Sequence, residues 1–410
     1  MTHHRDLFRS TIPKPEQVKH LICFLPGKTR EVLTLTAGIH ALREYYNYAH
    51  IMAITSKDGL KTLSNNPFIN EIITLDENDT AQQLKTLFLL SQQKTDLFID
   101  LFTPASQLSS SIWHTIYARG FLRRLINSKQ TIGFDIDPKK INKGHHINTL
   151  ATKPNSILKS FILATSRLFP VKNFTLPLPY TNKLCDLNEH RTHTCLRLLF
   201  TTAQLPIAHH LFNNFYTPDQ EDLNNQALID ENKKGFTACL FTGGYASVDK
   251  WPREKASEFI DQFFIRYPGA ILHLIGDDTE AETAEFLAKE HLSHITNKQL
   301  VNHVGVRSFS ETAVLIDRAN IVISTFGDPL YLADVLGTPL IALASSAYVG
   351  SVWQARQARM ILLNVPVACS PCEQENCHQP ISCMEQLSAT TVIEAINSMR
   401  SDRLAIKANF

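Results

Sequence analysis

A chain of 410 residues exceeds what one compact core usually holds and suits two domains of roughly 150 to 200 residues each. Its 40 Lys plus Arg against 39 Asp plus Glu leave a net charge of +1, so nothing in the charge calls for nucleic acid as a partner. With 44% hydrophobic and 19% charged residues it reads as an ordinary globular chain, neither disordered nor fibrous.

The opening, "MTHHRDLFRSTIPKPEQ", lacks an apolar signal core, and no later stretch approaches the ~18 apolar residues that span a bilayer, which predicts a cytoplasmic protein. From Val18 short apolar runs then alternate with amphipathic segments. "HLICFLP" predicts a buried strand, "VLTLTAGIHALREYY" a helix, "AHIMAITS" a strand and "GLKTLSNNP" a helix. "INEIITLD", "TDLFIDLF" and "QTIGFDID" predict further strands, with "AQQLKTLFLLSQQ" as a helix among them. Strands apolar on both faces, each followed by a helix, call for a parallel sheet covered on both sides. Residues 180–234 lose this beat and read as a connector with helices of its own. A second series follows: strands at "GFTACLFTGG", "AILHLIGDD", "ANIVIST" and "PLIALAS", and helices at "PREKASEFIDQFFIRYP", "TEAETAEFLAKEH" and "PLYLADVLG". The pattern predicts two doubly wound α/β domains, in which ligands bind in the turns after the strands.

Four such turns carry chemistry. "LPGKTREVL" has a Gly-Lys pair without phosphate-loop spacing, and its Glu31 either complements a helix dipole or serves as a general base. "FTGGYASVDKWP" offers Gly243 and Gly244 for close backbone approach, a hydroxyl at Ser247 and a compact cation at Lys250, or is a plain tight turn. In "LIGDDTEAE", Asp277 and Asp278 can cap a helix or accept from a ribose. In "ISTFGDPLYLADVLGTP", the backbone from Gly327 through Asp328 and Pro329 to Leu330 opens a helix whose amides suit a diphosphate, although Asp328 carries the wrong charge for one and equally suits an N-cap.

Read in order, these segments resemble glycosyltransferase family 9, the ADP-heptose:lipopolysaccharide heptosyltransferases. "NNPFINEIITLD", "TDLFIDL" and "QTIGFD" are similar to the family's N-terminal segments. "GGYASVDKWP", "SFSETAVLIDRANIVIS" and "LYLADVLGTPLIAL" are similar to its nucleotide-binding half, and "CSPCEQENCHQPISCM" to the tail of many members. The resemblance implies a GT-B fold, two Rossmann-like domains facing across a cleft. The implied divisions are an acceptor domain at 1–178, a connector at 179–234, a nucleotide-sugar domain at 235–386, and a C-terminal helix and tail at 387–410. It implies Glu31 as the base, Lys250 as the diphosphate cation with Gly244 and Ser247 beside it, Asp278 at the ribose, and residues 327–330 at the diphosphate. Two departures stand out: Arg30-Glu31 replaces the family's Gly-Asp, and Phe326, Gly327, Asp328 and Tyr331 occupy its D-[ST]-G-x-x-H turn.

The expected reaction is inverting transfer of a heptose from ADP-heptose to a lipopolysaccharide core or lipid A acceptor, with no cofactor required for catalysis. The alternatives are a transferase or epimerase using another nucleotide sugar, or a non-catalytic binder of nucleotide sugar or lipopolysaccharide. Lys28, Arg30, Arg123 and Arg124 are the basic candidates for an acidic acceptor met at the inner face of the membrane, although such charges commonly form plain solvated surface. Cys369, Cys372, Cys377 and Cys383, spaced C-x2-C-x4-C-x5-C, read either as a structural zinc or iron clamp or as reduced, partly buried thiols, in both cases away from the transfer step.

Overall fold

A computed structural model describes residues 13–75, 79–101, 122, 125–133, 191–197, 199, 212–217, 235–347 apart from 292, 294 and 297, and 355–408 apart from 373 and 375. The chain forms two compact units, residues 1–216 and 217–410.

The first unit runs β1 (His20–Leu25), α1 (Thr29–Leu33), α2 (Thr36–Tyr45), β2 (His50–Thr55), α3 (Lys57–Leu63), β3 (Glu71–Thr74), α4 (Thr80–Gln92), β4 (Thr95–Asp100), β5 (Ser128–Ile132) and α5 (Arg191–Arg197). Its five strands are all parallel, in the order β3-β2-β1-β4-β5. The continuous apolar run of β1 is explained by its two faces. Leu21, Cys23 and Leu25 join one core with Ile39 and Leu42 of α2, while Ile22 and Phe24 join another with Leu87 and Leu90 of α4. Each such fully buried side chain contributes roughly 2 kcal/mol, and after the exposed His20 no position on the strand is left for a polar residue. Asp96 of β4 ties the sheet's lower edge: its Oδ2 accepts from the Lys19 and His20 amides, and its Oδ1 pairs with Lys129 Nζ at 2.7 Å. Partial burial alone would raise this carboxyl, but those partners outweigh it and bring it down to about 2.

One expected helix is two. The segment "VLTLTAGIHALREYY" breaks at Thr34 and Leu35, between α1 and α2. Thr34 Oγ1 donates to Glu31 O and Thr36 Oγ1 donates to Leu33 O, and hydroxyls bonding back to a helix's own carbonyls bend it at that point.

The second unit runs β6 (Thr237–Phe241), α6 (Arg253–Arg266), β7 (Ile271–Leu274), α7 (Ala281–His291), β8 (Leu300–Asn302), α8 (Phe309–Arg318), β9 (Ile321–Thr325), α9 (Asp328–Leu336), β10 (Leu340–Ala344), β11 (Met360–Asn364) and α10 (Ala389–Ala408). All six strands are parallel, in the order β11-β10-β9-β6-β7-β8. Phe259 and Phe263 of α6 pack with Leu240, Leu272 and Ile323 of the sheet and with Val392 and Ile396 of α10. Helix α6 starts one residue later than the sequence suggests, with Pro252 as its N-cap. Helix α8 opens with a reciprocal capping box, in which Ser308 N donates to Glu311 Oε2 and Glu311 N donates to Ser308 Oγ. Among the described residues no helix is long and apolar enough to cross a membrane.

Candidate functional site

In a parallel sheet every strand delivers its following turn to the same edge, and the turns part company where the strand order reverses direction. In the first unit that switch point lies between β1 and β4, and the turn leaving β1 is Pro26–Lys28 followed by α1. Gly27 has φ +136°, and a Cβ there would stand 2.6 Å from Glu31 Oε2, so only glycine lets the turn fold down on that carboxylate. Ser56 Oγ donates to Gly27 O at 2.5 Å and Thr55 Oγ1 to Leu25 O at 2.7 Å, pinning the turn to the end of β2. Glu31 is buried and occupies the third position of α1, where its Oε2 accepts from the Lys28 amide at 2.7 Å. Of the two sequence readings the helix-capping one is seen directly, and the carboxylate that does it stands at a switch point. Lys28 is exposed. Arg30 is buried, 8% exposed, which corrects its reading as a solvated surface cation; placement at the second position of α1 turns it inward. Arg123 and Arg124 lie outside the described residues.

In the second unit the switch point lies between β9 and β6, and the turns after β6, β7, β9 and β10 are tied together there. Thr325 Oγ1 donates to Gly243 O at 2.5 Å, Tyr245 OH donates to Asp328 Oδ1 at 2.5 Å, and Ser345 Oγ donates to Asp249 Oδ1 at 2.6 Å. The β6 turn is closed at its base where Trp251 N donates to Thr242 O, and Trp251, buried, donates its Nε1–H to Leu387 O at 3.1 Å. Lys250 sits next to this anchor. Its Nζ lies 3.1 Å from Glu280 Oε1, with the Lys side chain 45% exposed and the Glu side chain 8%. Thr279 Oγ1 donates to the same oxygen at 3.4 Å. A Cβ on Gly243 would meet Glu280 Cδ at 2.5 Å and Phe241 Cζ at 2.6 Å, so the carboxylate and the ring are stacked directly against the glycine backbone.

The two acids of the β7 turn divide the work the sequence left open between them. Asp277 caps the 3₁₀ turn Asp278–Glu280, its Oδ1 accepting from Thr279 N and Oγ1, and Asp278 is exposed. Ser247 is exposed and Gly244 half-buried. Gly327 is the N-cap of α9, Asp328 its first residue and Pro329 its second, and Leu330 N donates to Gly327 O. Asp328 is thus not the N-cap; its charge is met by the Tyr245 hydroxyl. Phe326 and Tyr331 are buried. Farther along α9, buried Asp334 accepts from the amides of Arg356, Gln357 and Ala358. Burial raises its carboxyl, and the three amides work against that rise.

Below the β7 turn two buried histidines meet: His273 Nδ1 and His303 Nε2 are 2.9 Å apart. Burial, and then the neighbouring His303, pushes His273 down to about 3. Burial, and then Arg307, pushes His303 down to about 4, against a smaller upward pull from Glu311. Both rings are neutral in the fold at neutral pH.

Of the two readings of the cysteine segment, the exposures accord with the thiols rather than the clamp. Cys369 and Cys377 are exposed and Cys372 and Cys383 half-buried, and among the described residues no group of three or more His, Cys, Asp or Glu is arranged to hold a metal ion. Cys383 Sγ accepts from Ser346 N at 3.4 Å. Nor is the segment remote from the switch point: Cys372 N donates to Ser346 O, one residue from the Ser345 that bonds Asp249.

Sequence reasoning missed Glu280, Tyr245 and Phe241. The one signal for them was the Gly243-Gly244 pair, since a double glycine after a strand means that something large must lie against it.

No protein-family model matches the chain, and no curated protein matches its sequence. Solved structures do match its shape. A family 9 glycosyl transferase from Veillonella parvula superposes with a TM-score of 0.66 at 15% identity, over 93% of this chain and 96% of that one. The ADP-heptose lps heptosyltransferase II of E. coli gives 0.61 at 14%, over 94% and 99%. E. coli heptosyltransferase WaaC, solved with ADP-2-deoxy-2-fluoro heptose, gives 0.58 at 13%, over 92% and 99%. The fold is GT-B. Near-complete coverage of both chains in each pair means that the two Rossmann-like units and their order are shared. At such identity the likeness is one of fold.

Proposed function

We propose that the protein is an inverting glycosyltransferase that moves a heptose from ADP-heptose to a lipopolysaccharide core or lipid A acceptor, working as a peripheral protein at the inner face of the inner membrane. The observation that carries the reading is that each unit presents complementary chemistry at its own switch point: a buried carboxylate in one, a half-exposed ammonium beside a Gly-Gly turn and a helix start in the other. That the similar structures include a heptosyltransferase solved with an ADP-heptose analogue supports this donor class.

In this reading the Glu31 carboxylate takes the proton of the acceptor hydroxyl as its oxygen forms the new bond to the anomeric carbon. The bond from that carbon to the diphosphate oxygen breaks through an oxocarbenium-like transition state. Negative charge gathers on the leaving diphosphate, where Lys250, Ser247 and the amides at 327–330 receive it, an electrostatic task that requires no cofactor. Gly244 gives the phosphates close approach, Asp278 accepts from the ribose, and Lys28, with Arg123 and Arg124, meets the acidic acceptor, while Arg30 is buried within α1.

The test is sugar transfer by Glu31→Gln and Lys250→Ala. Each is expected to lower kcat by about 100-fold or more, and wild-type rates in either would overturn the assignment of roles. One observation favours a second reading: Asp328 puts a carboxylate at the start of α9, where an anion would sit, and Tyr245 holds it there. A non-catalytic nucleotide-sugar binder fits that feature, and another nucleotide sugar fits the same fold. Thermal shifts with ADP, UDP and GDP sugars separate these: stabilisation by ADP-heptose with turnover supports the transferase, stabilisation without turnover on any core acceptor supports the binder, and preference for UDP redirects the donor.

A further inference from the structure

The inference rests on the proposed donor site and concerns how its cation is held. Lys250 caps the end of the short 3₁₀ turn Ser247–Asp249, which fixes its backbone, but its side chain is long, flexible and 45% exposed. A free ammonium of this kind samples many rotamers, and a diphosphate that binds it must first arrest them. Among the described residues the partner of its ammonium is Glu280 Oε1 at 3.1 Å. Glu280 itself is immobile for three independent reasons. It is buried, at 6% exposure. It ends the 3₁₀ turn that Asp277 caps. Its carboxyl group lies against Gly243, where a Cβ would be only 2.5 Å from Cδ. A buried acid with one cation within reach strongly resists losing it, because the carboxylate would then stand desolvated and unpaired.

We propose that Glu280 is the positioning residue of the donor site: it clamps the Lys250 ammonium beside the Gly243-Gly244 turn before the nucleotide arrives. The ammonium has three N–H donors, so one stays on Glu280 while others address the phosphates. Glu280 touches no reacting atom, and its whole effect runs through Lys250. Gly243 belongs to the same device, since any larger residue there would displace the carboxylate that the clamp depends on.

The test is calorimetric binding of ADP and of AMP to the full chain carrying Glu280→Gln, Lys250→Ala, or both, with donor KM and kcat for each. Gln fills the same space but carries no charge. Expected for Glu280→Gln is ADP affinity about tenfold weaker, as one constraint on a four-carbon stem is lost, with AMP affinity and unfolding temperature near wild type. In the Lys250→Ala background the same change should have no further effect on ADP, the mark of a residue acting through another. Unchanged or tighter ADP binding by Glu280→Gln, where Lys250→Ala weakens it, overturns the clamp and leaves the donor site standing. Additive losses in the double variant also overturn it. Should the wild-type chain bind no nucleoside diphosphate at all, the donor-site reading falls and takes the clamp with it. If Glu280→Gln unfolds early, Glu280→Asp provides the second arm: it keeps the charge but draws it back by one methylene, so ADP affinity between the wild-type and Lys250→Ala values is expected, and affinity equal to wild type overturns the proposal.

Discussion

Glu31 caps a helix and is the proposed base, and two substitutions separate these roles. Glutamine keeps an oxygen able to accept from the Lys28 amide, so Glu31→Gln should unfold at the wild-type temperature yet lose transfer. Alanine removes both, and Glu31→Ala should in addition cost about 1 kcal/mol of stability in denaturant unfolding. Equal stability losses in the two variants would mean that the charge itself, rather than the hydrogen bond, holds the turn. Asp96 shows the opposite case, an acid whose role is structural alone. Its carboxyl, lowered to about 2 in the fold, contributes stability above the ordinary carboxylate range that is lost as pH falls through that value. An Asp96→Asn variant should therefore show a shallower acid limb below about pH 4.

Among the elements, helix α9 is the one whose start would bear most on ligand affinity at the proposed donor site. Its first residue, Asp328, complements the positive end of the helix and at the same time opposes an incoming diphosphate. Asp328→Asn should lower stability by about 0.5 kcal/mol and tighten ADP several-fold, measured by calorimetry at low salt; weaker ADP binding would show that the carboxylate faces away from the anion. How far the elements could be read beforehand follows from the same physics. The strands β1, β2, β6 and β9 were plain in the sequence because both their faces are buried, leaving unbroken apolar runs. Strand β8, three residues long, and strand β11, an edge with two of its five residues exposed and none buried, carry too little apolar signal to stand out. The break between α1 and α2 hides inside a good helical period, because threonines bond to their own helix without disturbing the hydrophobic pattern. The turns bearing Glu31, Lys250 and Asp278 could be found because chain order alone puts a turn after each strand. The partners Glu280, Tyr245 and Ser345 could not. They lie 30, 83 and 96 residues from the groups they bond, and only the lateral order of parallel strands brings them together.

At the scale of the whole chain, each unit carries its own sheet and its own core, and acid should act unequally on them. The second unit buries His273 and His303 as neutral rings held far below the ordinary histidine range. Unfolded, both would take up protons below about pH 6.5, so stability is complete above that pH and declines as pH falls toward the folded values near 4 and 3. The slope is roughly 1 kcal/mol per pH unit for each ring. Denaturant midpoints taken between pH 7 and 5, before carboxylates titrate, should fall in the wild type and fall less in His273→Gln; parallel slopes would remove the pair from the account.

The indole of Trp251 also ties the Lys250 turn to the chain just ahead of its last helix. The foundation of the donor turn therefore lies 136 residues downstream of it, at Leu387. A ribosome making this protein must finish nearly the whole message before that turn can be anchored, so a prematurely stopped chain would lack the support of the cation in the proposed donor site.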